Sequence, residues 1–261
     1  MAASDPELFY QSHNPDGDET ILLIHGACGS SAEFEETIIP IKKEGFHLLI
    51  PDLPAHGKST GIAPFTVESA SKLLFQLITR HAHHGAVHLV GMSLGAHIAA
   101  YMGARAAAGQ IRSIIASGYN DFHPPRLLVP LLVPSIYALH HSVQLVTQFQ
   151  KEIAQWQAGE GSYALVAEVI RTLFDPRRLE PIPVRTLVVA AGKPPLLMTD
   201  RVDSAKRLFG AVVGGREQGN RVAQHRGVRH PWHVEEPVQF SEMVVQWVGG
   251  HELGQEFEEI E

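Results

Sequence analysis

The chain has 261 residues, of which 44% are hydrophobic and 19% charged, a balance that suits one domain burying roughly three quarters of its unfolded surface. Its formal charge of −7 argues against nucleic acid or an anionic membrane as partner, because neither polyanion would be attracted to it. Met1–Tyr10 carries Asp5 and Glu7 and no apolar run, so no secretory signal is expected. The most apolar stretch, Leu127–Leu139, is broken by Pro130 and Pro134 and is too short to span a bilayer. The single cysteine, Cys28, allows no intrachain disulfide, and a reducing cytoplasm is the expected location. Sixteen histidines are present, but His81, His83, His84 and His88 lack a fixed ligand geometry and read as a solvated helix end rather than a metal site.

In chain order, Leu8–Tyr10 reads as a short edge strand and residues 14–18 (Asn-Pro-Asp-Gly-Asp) as the turn after it. Thr20–Ile24 is a continuous apolar run, as expected of a strand covered on both faces in a parallel sheet. It ends in His25-Gly26-Ala27-Cys28-Gly29-Ser30, a glycine-rich loop whose free amides would point into the space above the sheet. A helix is predicted over residues 32–44, a buried strand over His47–Ile50, and a helix capped by Thr66 with Val67, Ala70, Leu73, Leu74, Leu77 and Ile78 on one face.

Val87–Met92 then forms a strand, Ser93 a very tight turn, and the residues from Leu94 a helix of small side chains. In such a turn, Gly91 and Gly95 sit where a Cβ would strike the adjoining strand or helix, and the Ser93 hydroxyl stands at the carboxyl edge of the sheet over a helix N-terminus. Taken alone, Gly-x-Ser-x-Gly is a weak signal that also fits a glycine-rich connection with an N-capping serine. Ile111–Ser117 is the next strand and ends at Gly118-Tyr119-Asn120-Asp121. Strands and helices in alternation predict an α/β architecture with a mostly parallel sheet and helices on both faces.

Residues 122–181 interrupt the alternation with prolines and apolar helical segments, and are expected to form a helical lid over the binding edge, the alternative being an extra bundle that only covers the sheet. The core is then residues 1–121 and 182–261. Thr186–Gly192, a helix over about 200–209, a strand over Arg221–His225 and a helix after Pro237 complete it, with an acidic, frayed end at 252–261.

Four signals stand in fixed order: His25-Gly26 after one strand, Asp52-Leu53-Pro54-Ala55-His56-Gly57-Lys58-Ser59 after the next, Gly91-Met92-Ser93-Leu94-Gly95, and Val228–Pro237 near the end. Together they make the chain resemble the α/β-hydrolase family, from about residue 8 to 250. The resemblance implies Ser93 as nucleophile and the amides of Ala27 and Leu94 as oxyanion hole. For the base it implies His230, which stands the right distance ahead of Val234-Glu235-Glu236-Pro237, in preference to His233 or to His225 inside a strand. The family's usual position for the acid holds Pro195 here. An insertion over residues 194–199 would move the acid to Asp200, the first choice; Asp121 is the alternative, and Asp203 reads as a solvated first-turn residue. Asp52 and His56 are expected to be structural, and Cys28 a buried filler.

The expected chemistry is hydrolysis of a carboxylic ester, thioester or lactone through an acyl-enzyme on Ser93, with a small hydrophobic substrate and no metal or organic cofactor. The same pocket could instead serve an acyltransferase, a carbon–carbon hydrolase or a lyase or cyclase, or a catalytically weak ligand-binding receptor. The serine excludes the aspartate-nucleophile branches of the family, and oligomeric state is not legible.

Overall fold

A computed structural model describes residues 6–27, 29–121, 169, 179–193 and 200–261. Cys28, Pro195, and nearly all of the segment expected to be a lid lie outside the described residues.

Eight strands form one sheet: β1 (Tyr10–His13), β2 (Thr20–Ile24), β3 (His47–Pro51), β4 (Val87–Met92), β5 (Ile111–Ser117), β6 (Arg185–Ala191), β7 (Arg221–His225) and β8 (Phe257–Glu259), in the order β1-β3-β2-β4-β5-β6-β7-β8. The six from β3 to β7 run parallel, and β1 and β8 pair antiparallel at the two edges. The apolar runs follow from this layering, because alternate side chains of a central strand point to opposite covered faces. In β2, Leu22 and Ile24 join one core while Ile21 and Leu23 join the other; in β6, Val188 and Ala190 face the first and Leu187, Val189 and Ala191 the second.

The first core is closed by α2 (Val67–His81), α3 (Leu94–Gly103) and α4 (Val202–Phe209), and the second by α1 (Ile38–Lys43), α5 (Trp232–Glu235) and α6 (Pro237–Val248). Thr66 caps α2 as expected, its hydroxyl accepting from the Ser69 amide at 3.0 Å while the Ser69 hydroxyl accepts from the Thr66 amide at 3.0 Å.

Three expectations are corrected. The helix predicted over 32–44 is a 3-10 turn, Ser31–Phe34, followed by the separate α1. Pro40 has no N–H and would strike the carbonyl four residues before it in a longer helix, but it is tolerated in the first turn of α1. The acidic end is not frayed: Phe257–Glu259 pairs with Ala223–His225, where Arg221 and Arg226 face Glu259 and Glu258. The histidines after α2 are not all a solvated helix end either, since His88 is buried in β4 with Nδ1 2.8 Å from the Ser113 hydroxyl.

The parallel strands bring Ile24, Met92, Ser117, Ala191 and His225 to one edge of the sheet. That edge carries the candidate site.

Candidate active site

Ser93 stands between β4 and α3 with φ +54° and ψ −111°, a conformation costly for a residue with a side chain. The surroundings enforce it. The Ser93 amide donates to the Ser117 carbonyl at 2.8 Å, which ties the turn to the end of β5. A Cβ on Gly91 would lie 2.2 Å from the Gly95 carbonyl oxygen, and one on Gly95 would lie 2.2 Å from that of Ile24, so strand and helix meet as closely as glycine allows.

The loop after β2 lies alongside, and a Cβ on Gly26 would be 3.5 Å from the Ser93 Cβ. His25 organises this loop. Its Nε2 accepts the Leu53 N–H at 3.0 Å, so the ring proton sits on Nδ1 and is donated to the Gly26 carbonyl at 2.7 Å. That carbonyl is the other end of the peptide unit bearing the Ala27 N–H, and a planar trans peptide turns the two in opposite directions. Leu94, the first residue of α3, has an amide with no acceptor inside the helix.

His230 lies on the segment between β7 and α5. Its Nδ1 is hydrogen-bonded to Asp200 Oδ1, and the other carboxylate oxygen of Asp200 accepts the Ala191 N–H at 2.7 Å at the end of β6. The Asp200 side chain is 1% exposed and that of His230 12%, so the carboxylate is buried while part of the imidazole remains accessible. Burial pushes the His230 imidazole down, but the Asp200 charge, its hydrogen bond and the charge of Glu33 together hold it above the ordinary value. Gly118, at φ +71°, makes room for the ring: a Cβ there would lie 2.8 Å from His230 Cε1. The indole N–H of Trp232 donates to the Ser117 hydroxyl at 3.0 Å, which anchors α5 against the same strand that holds Ser93.

Asp121, the alternative acid, is engaged elsewhere, by the Ser204 hydroxyl and by Arg207. Asp203 is exposed on the first turn of α4. Asp52 accepts the Ser31 and Lys58 amides, each at 2.7 Å, and so braces two turns. His56 donates from Nδ1 to the Pro54 carbonyl at 2.8 Å, and burial among His25 and Phe65 pushes it down to about 3. His225 accepts from the Gly227 amide and meets Gln239 through Nε2, which occupies both nitrogens. His233 pairs with Glu33, a residue that nothing in the local sequence pattern marks as facing inward. No group of three or more His, Cys, Asp or Glu able to hold a metal ion occurs among the described residues, and no helix among them is long and apolar enough to cross a membrane.

The site thus has a strained serine, two backbone amides in the adjoining turns that lack a partner among the described residues, and an imidazole whose Nδ1 is fixed by a buried carboxylate. Comparison with known proteins points the same way. A family model for the alpha/beta hydrolase fold matches residues 19–140. A protein of Gibberella zeae called an AB hydrolase superfamily protein is 40% identical over 257 residues, 98% of this chain and 89% of its own length. In three dimensions the chain is similar to an esterase from Exiguobacterium antarcticum, with TM-score 0.75 at 17% identity over 93% of this chain and 95% of that one. It is also similar to an enol-lactonase from Burkholderia xenovorans, with TM-score 0.70 at 17% identity over 93% and 96%. Sheet order, serine turn and relatives agree, and the chain belongs to the α/β-hydrolase superfamily.

Proposed function

We propose that the protein is a serine hydrolase that cleaves a carboxylic ester, thioester or lactone through an acyl-enzyme. The observation that carries this reading is the Asp200–His230 hydrogen bond. A carboxylate on Nδ1 leaves Nε2 unprotonated and aimed away from the acid, the form an imidazole needs in order to take a proton from a hydroxyl.

In the first half-reaction His230 Nε2 takes the Ser93 hydroxyl proton as Oγ bonds to the substrate carbonyl carbon. The carbonyl π electrons move to oxygen, and the Ala27 and Leu94 amides receive the resulting oxyanion. Collapse of this intermediate expels the alcohol or thiol, which leaves with the proton carried by His230. Water then attacks the acyl-serine with His230 as base, and the acid product departs as Ser93 regains its proton. For a lactone, the leaving hydroxyl and the acid belong to one molecule. The apolar residues of 122–181 support a lid over a mainly hydrophobic acyl group, with residues 1–121 and 182–261 as the catalytic core. The relatives named an esterase and an enol-lactonase are consistent with this substrate class.

A fluorophosphonate probe tests the proposal. The intact protein is expected to be labelled on Ser93, S93A to lose all labelling, and H230A to lose it by several orders of magnitude in rate. An intact protein that is not labelled, or one labelled equally well as S93A, refutes the assignment.

A further inference from the structure

The loop after β2 and the segment carrying His230 are joined below the surface by two side chains that the acyl-transfer steps do not use. Glu33 lies in the 3-10 turn Ser31–Phe34 and is 8% exposed. Its Oε2 accepts the Gly26 N–H at 3.1 Å and lies 3.0 Å from His233 Nε2. His233, in α5, is 3% exposed, packs its ring against Phe34 and Phe240, and accepts the Thr37 hydroxyl on its carbonyl at 2.8 Å. Its Nδ1 is buried with no hydrogen-bond partner among the described residues. A proton there would be a stranded donor, so the proton sits on Nε2 and is donated to Glu33.

A carboxylate removed from water persists only where it is paired and hydrogen-bonded, and apolar side chains would fill the same space at lower cost. Its partners here are specific. Gly26 is the residue whose carbonyl belongs to the Ala27 peptide, and that carbonyl is already held by His25. Glu33 holds the amide on the other side of the same residue, so the two bonds together determine how the Ala27 N–H is presented.

We infer that Glu33 and His233 are positioning residues of this site: the carboxylate holds Gly26 so that the Ala27 amide faces Ser93, and His233 locks that carboxylate to the segment bearing His230. The inference rests on the acyl-transfer reading, because it needs an oxyanion at that amide. Burial pushes the Glu33 carboxyl up, but the hydrogen bond from His233, the pull of His233 and His25 and the Gly26 amide hold it below the ordinary carboxylate value. Glu33 is therefore an anion at neutral pH. Facing it are His233 from α5, His25 from the end of β2 and His56 from the turn after β3; facing His230 are Asp200 and Glu33.

Glu33→Gln keeps the size but replaces the anion with a neutral acceptor, which weakens the charge-assisted hold of Oε2 on the Gly26 and His233 N–H groups. With 4-nitrophenyl butyrate as substrate, E33Q is expected to lower kcat roughly ten- to hundredfold at nearly unchanged KM, the signature of a misdirected oxyanion donor. The acidic limb of kcat/KM, expected above 6.5 in the unaltered protein, should move to lower pH because one of the two anions raising His230 is gone. H233L should lose rate in the same manner, and H233Q, whose amide N–H can reach the carboxylate, should recover most of the loss.

An E33Q protein with unaltered kcat and an unmoved limb, beside an unaltered protein that turns over and labels at Ser93, overturns the positioning role alone. An unaltered protein that neither labels nor turns over overturns the acyl-transfer reading and this inference with it. If E33Q is unfolded by circular dichroism, the H233L and H233Q pair decides, and equal rates for the two overturn the inference.

Discussion

Asp200 uses both oxygens of one carboxylate, the first on His230 and the second on the Ala191 amide, and this double engagement decides which aspartate can serve the imidazole. In D200N the amide oxygen can still accept from Ala191, but the NH2 group then faces His230 Nδ1 and forces the proton to Nε2, the wrong tautomer. The expected result is a loss of kcat of roughly 10³–10⁴-fold with the protein still folded, measured with an activated ester. D121N is the matched control. It removes an ion pair whose arginine is 54% exposed, so both the turnover rate and the melting temperature should stay near those of the unaltered protein. Reversal of the two results would make Asp121 the acid.

At the scale of elements, the site depends on how closely β2, β4 and α3 pack. Gly95 allows the first turn of α3 to touch the Ile24 carbonyl, where a Cβ would arrive 2.2 Å from oxygen against backbone that has no rotamer to yield. G95A must therefore push helix from strand. The expected cost is on the order of 1–3 kcal/mol, read as a lower urea midpoint, together with slower fluorophosphonate labelling because Leu94 and Ser93 move with the helix. Unchanged stability would mean that the turn is looser than its φ of +54° at Ser93 implies. The antiparallel β8 illustrates the opposite case. A run of glutamates reads as a solvated tail until Arg221 on β7 and Arg226 just after it supply the complementary charge.

Across the whole molecule, several histidines are kept neutral by burial. His47 and His88 lie below their ordinary value and His56 at about 3, each with burial as the leading cause. The unfolded chain would protonate these rings near 6.5, so below that pH it binds more protons than the folded one and stability falls as pH drops from about 6.5 toward 3. Glu33 and Asp121, held below the ordinary carboxylate range, act in the same direction at lower pH. His230 acts oppositely: its raised value adds stability below the unfolded pKa, and that contribution is lost as pH rises through the folded one. Among the described residues four lowered rings, with His13 the fourth, against one raised predict a urea midpoint that declines steadily from pH 7 to pH 4. A flat profile would show that these rings are hydrated and titrate freely.

The sequence by itself determined the buried parallel strands, the serine turn and the superfamily, because these rest on local facts. Apolar runs too uniform for a half-exposed sheet, glycines two residues either side of a serine, and a capping threonine before a periodic helix act over a few neighbouring residues. The distance to the last helix is what puts the proposed imidazole at position 230, and by sequence Asp200 could only be ranked ahead of Asp121. Choosing between them required knowing which carboxylate reaches the ring, a contact between residues 30 apart that no spacing rule encodes. Glu33 was invisible for the same reason: its partner His233 is 200 positions away, and only the sheet order that sets the loop after β2 beside the loop after β7 makes a buried anion there affordable.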